Sequence, residues 1–190
     1  MKTSTDWSKV FKTKYPVAGA SNENLAEAQA ALLAPLSDEE LAAIVSSQMN
    51  PFPPGDPLHA QYRPFDPTQW QLPNKPLPPK YLDFLHWSNG GSFFNGDRHF
   101  DPFLNCHDLR RNLIGYHIPQ YMPEAVPFAL SGDGQAYLFD MRKNPTKGEY
   151  PILFASLGSL RYEQSVVVGK SFVDVCSGTT SPHDALYRPV

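Results

Sequence analysis

The side chains best suited to metal binding or proton transfer are six histidines and the carboxylates near them. His99, Asp101 and His107 lie close together, but no pair has the spacing that puts two ligands on one helix face. Proximity along the chain does not by itself build a tetrahedral site. The histidines are expected to be surface or hydrogen-bonded groups, with no metal and no cofactor. Asp97 and Asp101 can in principle share acid–base work, yet solvated loop carboxylates are the commoner outcome. His86 follows Leu85 in a helical stretch and is placed at the edge of its buried face. Gly132-Asp133-Gly134 lacks the third glycine of a dinucleotide loop and leads into a strand-like run, not a helix. Gly158-Ser159 lacks the flanks of a nucleophile elbow. There is no phosphate loop with its lysine, no zinc-protease helix motif and no EF-hand ligand series. Catalysis is therefore not expected.

Charge narrows the partner classes further. The formal net charge is -3 and no basic run occurs. A duplex-binding protein needs a basic face to displace counterions from phosphate, so direct nucleic-acid binding is not expected. The mild acidity suits a basic partner but is too small to argue for one. Met1 to Lys14 is polar and charged, without the apolar core of a secretory signal. No run of about 18 apolar residues occurs to span a membrane. Cys106 and Cys176 sit among apolar residues and have no partner at metal spacing. They are expected to be free, buried thiols in a reducing compartment, which implies a cytoplasmic location. At 41% hydrophobic and 13% aromatic residues the chain can build a core, while only 18% is charged. That leaves room for exposed apolar patches of the kind that mark binding sites.

The elements that must position these groups fall into three zones. Residues 1–50 read as a helical arm. Ser37-Asp38-Glu39-Glu40 is a capping box flanked by Leu36 and Leu41, and Leu41, Ile44 and Val45 follow as an apolar stripe. Leu25, Gln29, Leu32 and Leu33 predict a shorter helix ended by Pro35. Residues 51–79 are proline-rich, so regular structure is not expected. Phe52, Tyr62, Phe65, Trp70 and Leu72 are interleaved with the prolines, and a disordered linker would be poor in aromatics. This zone is read as an ordered, irregular strap pinned to the domain by those residues.

Residues 80–178 carry the fold signals, and residues 179–190 form a tail without pattern. Tyr81, Phe84 and Leu85 share one face of a helix that Asn89-Gly90-Gly91 ends, and Ser92-Phe93-Phe94 begins an extended stretch. Asn105 can cap a helix whose inward face is Leu109, Leu113 and Tyr116. Val126 to Leu130 and Ala136 to Met141 are strand-like, joined by Ser131-Gly132-Asp133-Gly134-Gln135, a hairpin signal. A turn at Asn144 to Gly148 precedes a strand at Pro151 to Ala155, and Arg161 to Val168 reads as another. Ser171 can cap a last helix carrying Phe172, Val175 and Cys176. Neighbouring strands joined by tight turns predict an α+β domain: a mostly antiparallel sheet with helices packed to one side, plus the N-terminal helical arm.

The stretch Leu77-Pro78-Pro79-Lys80-Tyr81-Leu82-Asp83-Phe84-Leu85-His86-Trp87-Ser88-Asn89-Gly90-Gly91 resembles the opening signature of the SMI1/KNR4 (SUKH) family. Val126-Pro127-Phe128-Ala129, then Gly132-Asp133-Gly134 and Tyr137-Leu138-Phe139-Asp140, resemble its second signature. Gly169-Lys170-Ser171-Phe172-Val173 is similar to its closing short helix. The likeness runs from Leu77 to Cys176. The helix that usually precedes the family's proline–tyrosine element is replaced here by the strap, and the arm has no counterpart in the common pattern.

The resemblance implies an α+β domain and a protein-binding role. Many bacterial members are immunity proteins that neutralise a cognate toxin, often a nuclease, and fungal members are interaction proteins of cell-wall assembly and signalling. The expected partner is thus a protein, a nuclease-type or other toxin domain. A regulatory or scaffold role without a toxin is the alternative, followed by small-molecule binding. The residues expected to meet the partner are Phe94, Asp97, Arg98 and Phe100 in the Phe93–Phe103 segment, with Asp133 and Asp140 as an acidic rim. Asp133 and Asp140 can equally hydrogen-bond nearby loop amides, and Phe93–Phe103 can equally be a sheet edge packed on the strap.

Overall fold

The computed structural model describes residues 5–187. Seven strands form one antiparallel sheet whose spatial order is the chain order: β1 (Thr13–Pro16), β2 (Gly91–Asn95), β3 (Arg98–Phe103), β4 (Ala125–Leu130), β5 (Gln135–Asp140), β6 (Ile152–Ser156) and β7 (Val166–Gly169). The α-helices among the described residues are α1 (Asn22–Leu33), α2 (Asp38–Ser47), α3 (Pro79–Trp87), α4 (Asp108–Gly115), α5 (Ile118–Tyr121), α6 (Phe172–Ser177) and α7 (His183–Leu186). The class is α+β with an antiparallel sheet, as the sequence predicts.

β4 and β5 each bury five consecutive residues and β6 buries four. A strand covered on one face alternates buried and exposed positions, so both faces of the sheet's middle are covered. Toward the other end β2 and β3 bury only some positions and β1 buries none. One face carries an aromatic layer. Phe84 of α3 meets Phe103 at 4.5 Å between ring centroids, Tyr81 meets Phe139 at 5.3 Å, and Phe172 of α6 meets Phe128 at 5.4 Å. Such offset and edge-on pairs add to the area that each ring buries.

The arm contributes more than helices. α1 and α2 form where the sequence places them, and Ser37 Oγ accepts from the Glu40 amide while Glu40 Oε2 accepts from the Ser37 amide. A second capping box, Ser21 with Asn24, starts α1. Ile44 is buried, whereas Val45 is exposed, so the α2 stripe is narrower than expected. Thr13–Pro16 departs from the helical reading, since it is an edge strand on β2. Trp7 and Phe11, in a stretch that reads as polar, are buried in the aromatic layer. The strand shows no alternation because all four residues are exposed; backbone pairing to β2 carries it. Gly91 permits that pairing: its φ is +104°, and a Cβ there would lie 2.4 Å from the Tyr15 carbonyl oxygen.

Between Pro51 and Pro79 the regular structure consists of two 3₁₀ turns, His59–Gln61 and Pro67–Gln69. Trp70 Nε1 donates to Gln120 Oε1 at 2.7 Å, Tyr150 Oη donates to the Pro76 carbonyl at 3.0 Å, and Phe65 packs edge-on to Tyr121. Phe93–Phe103 belongs to the β2–β3 hairpin, and β1 pairs with β2, so it is not an edge of the sheet. Asn105 Oδ1 accepts from the Asp108 amide at 3.0 Å, but the N-cap position of α4 is taken by His107, which makes no side-chain cap bond. Tyr116 is exposed, however, and Ile118 and Met122 take the inward positions beyond Leu113. Residues 161–168 begin as a 3₁₀ turn, Tyr162–Gln164, and become strand only at Val166. The tail contains α7. His86 is exposed, with Nδ1 3.0 Å from the Ala20 carbonyl oxygen. Cys106 and Cys176 are buried and free.

Candidate functional site

Two turns meet at one end of the sheet. β3 runs antiparallel to β4 with Phe103 opposite Ala129, so the start of β3 comes beside the β4–β5 turn. Asp97 and His99 belong to the first turn and its strand, Ser131 and Asp133 to the second. The backbone is fitted for both: Gly96 in the first turn has φ of +57°, and Gly132 and Gly134 in the second have +89° and +92°, values that suit glycine. The chain after α6 closes the third side. Asp97 donates its amide to the Thr179 carbonyl at 3.0 Å, which brings Ser181 and His183 into place.

Together Asp97, His99, Ser131, Asp133, Tyr137, Phe154, Ser181 and His183 line a recess of 30 Å³. That is room for a water or two, far below the roughly 300 Å³ of the smaller ligand pockets. The recess is a dent with a charged rim. Asp97 and Asp133 are exposed at that rim, and Ser131 Oγ donates to Asp133 Oδ1. Asp101 accepts from Ser92 Oγ at 2.6 Å and lies against Gly132. Burial raises the Tyr137 hydroxyl pKa, so this phenol at the recess floor stays protonated.

An aromatic row crosses the neighbouring strands. Tyr15 of β1, 64% exposed, meets Phe94 of β2 at 6.3 Å, and Phe94 meets His99 of β3 at 5.1 Å, both edge-on. Three short strands thus present two exposed rings and a half-buried one beside the Asp97 and Asp133 carboxylates.

The residues expected to meet a partner separate into two groups. Phe94, Asp97 and Asp133 come together at this end. Arg98 is turned inward as a staple for the tail: Nη1 donates to the Val175 carbonyl at 3.0 Å and Nε to the Thr180 carbonyl at 2.9 Å. Phe100 is fully buried, 4.8 Å from Phe103 and 4.7 Å from Tyr137, and is no surface residue. The pleat explains it, because neighbours along a strand point to opposite faces and His99 takes the outward position. Asp140 lies at the far end of β5, gripped by Arg142 through Nε–Oδ1 at 2.9 Å and Nη2–Oδ2 at 2.8 Å. Burial acts to raise its pKa, but the bonds from Arg142 outweigh that and hold it low.

His107 does not join His99 and Asp101; it lines a separate hollow with Glu27 and Arg110. Among the described residues no group of three histidine, cysteine or acidic side chains could hold a metal ion. Tyr15, Ser181 and His183 escape sequence reasoning, since nothing local marks a polar edge strand or a patternless tail as part of a site.

The sequence matches a model of the SMI1 / KNR4 family (SUKH-1) over residues 66–177, more than half of the chain. No curated protein matches it. The matched span contains α3 to α6 and β2 to β7; it leaves out Tyr15 and His183, the outer members of the site.

Proposed function

The chain belongs to the SMI1/KNR4 family (SUKH-1), and on that footing we propose that it works by binding another protein, as an immunity protein that neutralises a toxin domain. The observation that carries this reading is the exposed Tyr15–Phe94–His99 row beside Asp97 and Asp133. Aromatic side chains on a rigid support supply the centre of an interface at low entropic cost. The flanking carboxylates speed and orient the approach of a basic partner, which is the character of a nuclease-type domain. The hairpins and the stapled tail keep that surface in one shape, so binding requires little ordering. A protein partner would cover roughly 1,200–2,000 Å² in total, and the row with its rim forms the middle of such a patch. The role is blocking, without catalysis, and its place is the cytoplasm. No helix among the described residues is long and apolar enough to cross a membrane.

Sequencing the neighbouring genes, and co-expressing the chain with any toxin domain they encode, tests the reading. Host survival together with an isolable complex is expected. Continued killing with no complex would remove it, and a stable complex without protection would mark a scaffold or regulatory protein instead.

A further inference from the structure

A second hollow lies between Tyr121 at the end of α5 and the excursion that joins β6 to β7. It measures 370 Å³, within the range of small-molecule pockets, and shares no lining residue with the turn-end recess. Its polar lining is Arg161, Gln164, Ser159 and Tyr121; its apolar part is Leu157 and Leu160. No carboxylate lines it, although acidic residues outnumber basic ones in the chain, 19 to 16. The side chains of Arg161, Gln164 and Ser159 make no hydrogen bond or ion pair with any described residue. The neighbouring arginine is engaged: Arg142 is held by Asp140 and lies 3.5 Å from the centroid of the Tyr162 ring. Tyr121 is 42% exposed, and its ring is steadied edge-on by Phe65 of the strap at 5.7 Å.

We infer that this hollow binds a small organic anion, an aryl or similarly flat body carrying a phosphate or carboxylate group. The Arg161 guanidinium offers a planar fork suited to two oxygens of such a group. The Ser159 hydroxyl and the Gln164 amide can supply further donors, and Leu157 with the Tyr121 ring forms the apolar wall for the body. No step of chemistry follows binding. The site stands apart from the protein-binding reading and does not depend on it.

Titration of the isotope-labelled full chain, followed by amide chemical shifts, tests this with phenyl phosphate, benzoate, inorganic phosphate and phenol as probes. Saturable shifts confined to Tyr121 and residues 157–164 are expected with phenyl phosphate or benzoate, and their ratio tells phosphate from carboxylate preference. Phenol should bind far more weakly. Arg161→Gln should weaken binding about tenfold or more, with Arg161→Lys in between. Arg161 is exposed, so both variants should keep the wild-type spectrum elsewhere. Equal binding by Arg161→Gln, equal binding of phenol, or no saturation by either aryl anion below about 10 mM would overturn the inference.

Discussion

Arg110 and Glu40 face each other as a two-point ion pair, Nε to Oε1 and Nη2 to Oε2, each at 2.6 Å. The same guanidinium donates to the carbonyls of Ala31, Ala34 and Pro35. A helix leaves its last carbonyls without intrahelical partners. Here one cation from α4 serves the end of α1 and the start of α2 together, fastening the arm to the domain.

Replacing Arg110 by alanine should therefore cost about 2–3 kcal/mol, since several acceptors lose their donor at once. Urea unfolding would measure the loss. Hydrogen exchange should show faster opening in α1 and α2 than in the sheet, and uniform opening would speak against a local fastener.

The pair also sets a pH dependence. Bonds from Arg110 outweigh burial and hold the Glu40 carboxyl below its ordinary 4.5. A carboxylate whose folded pKa is depressed contributes stability in full above its unfolded value and loses it as pH falls through the folded value. The melting-temperature gap between wild type and Glu40→Gln should be constant at neutral pH and close below pH 4.5. A gap that persists in acid would exclude the ion pair as its cause.

Asn95 is 2% exposed and joins three segments. Its Oδ1 accepts from the Lys12 amide at 2.8 Å, and Nδ2 donates to the carbonyls of Val10 at 2.8 Å and Cys176 at 2.7 Å. Asn95→Ala should lower stability by about 2–4 kcal/mol, because buried backbone groups lose their partners. Asn95→Asp keeps the shape but sets an acceptor against two carbonyls, and should be at least as harmful at neutral pH. Chemical denaturation of both variants decides this.

Gly91→Ala should detach β1. The added Cβ meets the Tyr15 carbonyl, and the positive φ is costly for any other residue. Amide exchange at residues 13–16 should rise while β4 to β6 stay protected. Unchanged protection of β1 would contradict the close approach.

On the proposed binding surface, Asp97→Lys with Asp133→Lys should weaken the complex with the toxin domain about tenfold or more, chiefly by slowing association. Both residues are exposed, so folding should be little changed. Arg98→Ala should act differently, lowering thermal stability by loosening the tail and weakening the complex through faster dissociation, because Ser181 and His183 are no longer held in place. Surface plasmon resonance beside thermal melts separates the two effects.

Much of the fold is legible because its signals are local. The Ser37–Glu40 box, the Asn89-Gly90-Gly91 stop and the Gly132–Gly134 hairpin each act within a few residues. The family signatures lie on the same elements. Phe94, Asp97 and Asp133 are likewise readable as members of turns and a strand beside them. β1 is not, because an edge strand with every side chain exposed leaves no hydrophobic pattern, and its partner β2 lies some seventy-five residues away. Phe100 is misread as a surface residue, and the bonds of Arg98 to the tail are not foreseen, for a related cause: without the register of β2 on β3, neither residue's direction is known.

By itself the sequence determined several of the turns, the starts of α2 and α6, and that the chain forms an antiparallel α+β domain of this family. Those choices are made by turn chemistry and capping over a few bonds. Only the tertiary structure decided that Tyr15, His99, Asp133 and His183 share one end of the sheet, and that Arg110 and Asn95 hold distant segments in place. Such juxtapositions rest on pairings between remote residues, whose energies exist only once the whole chain has closed.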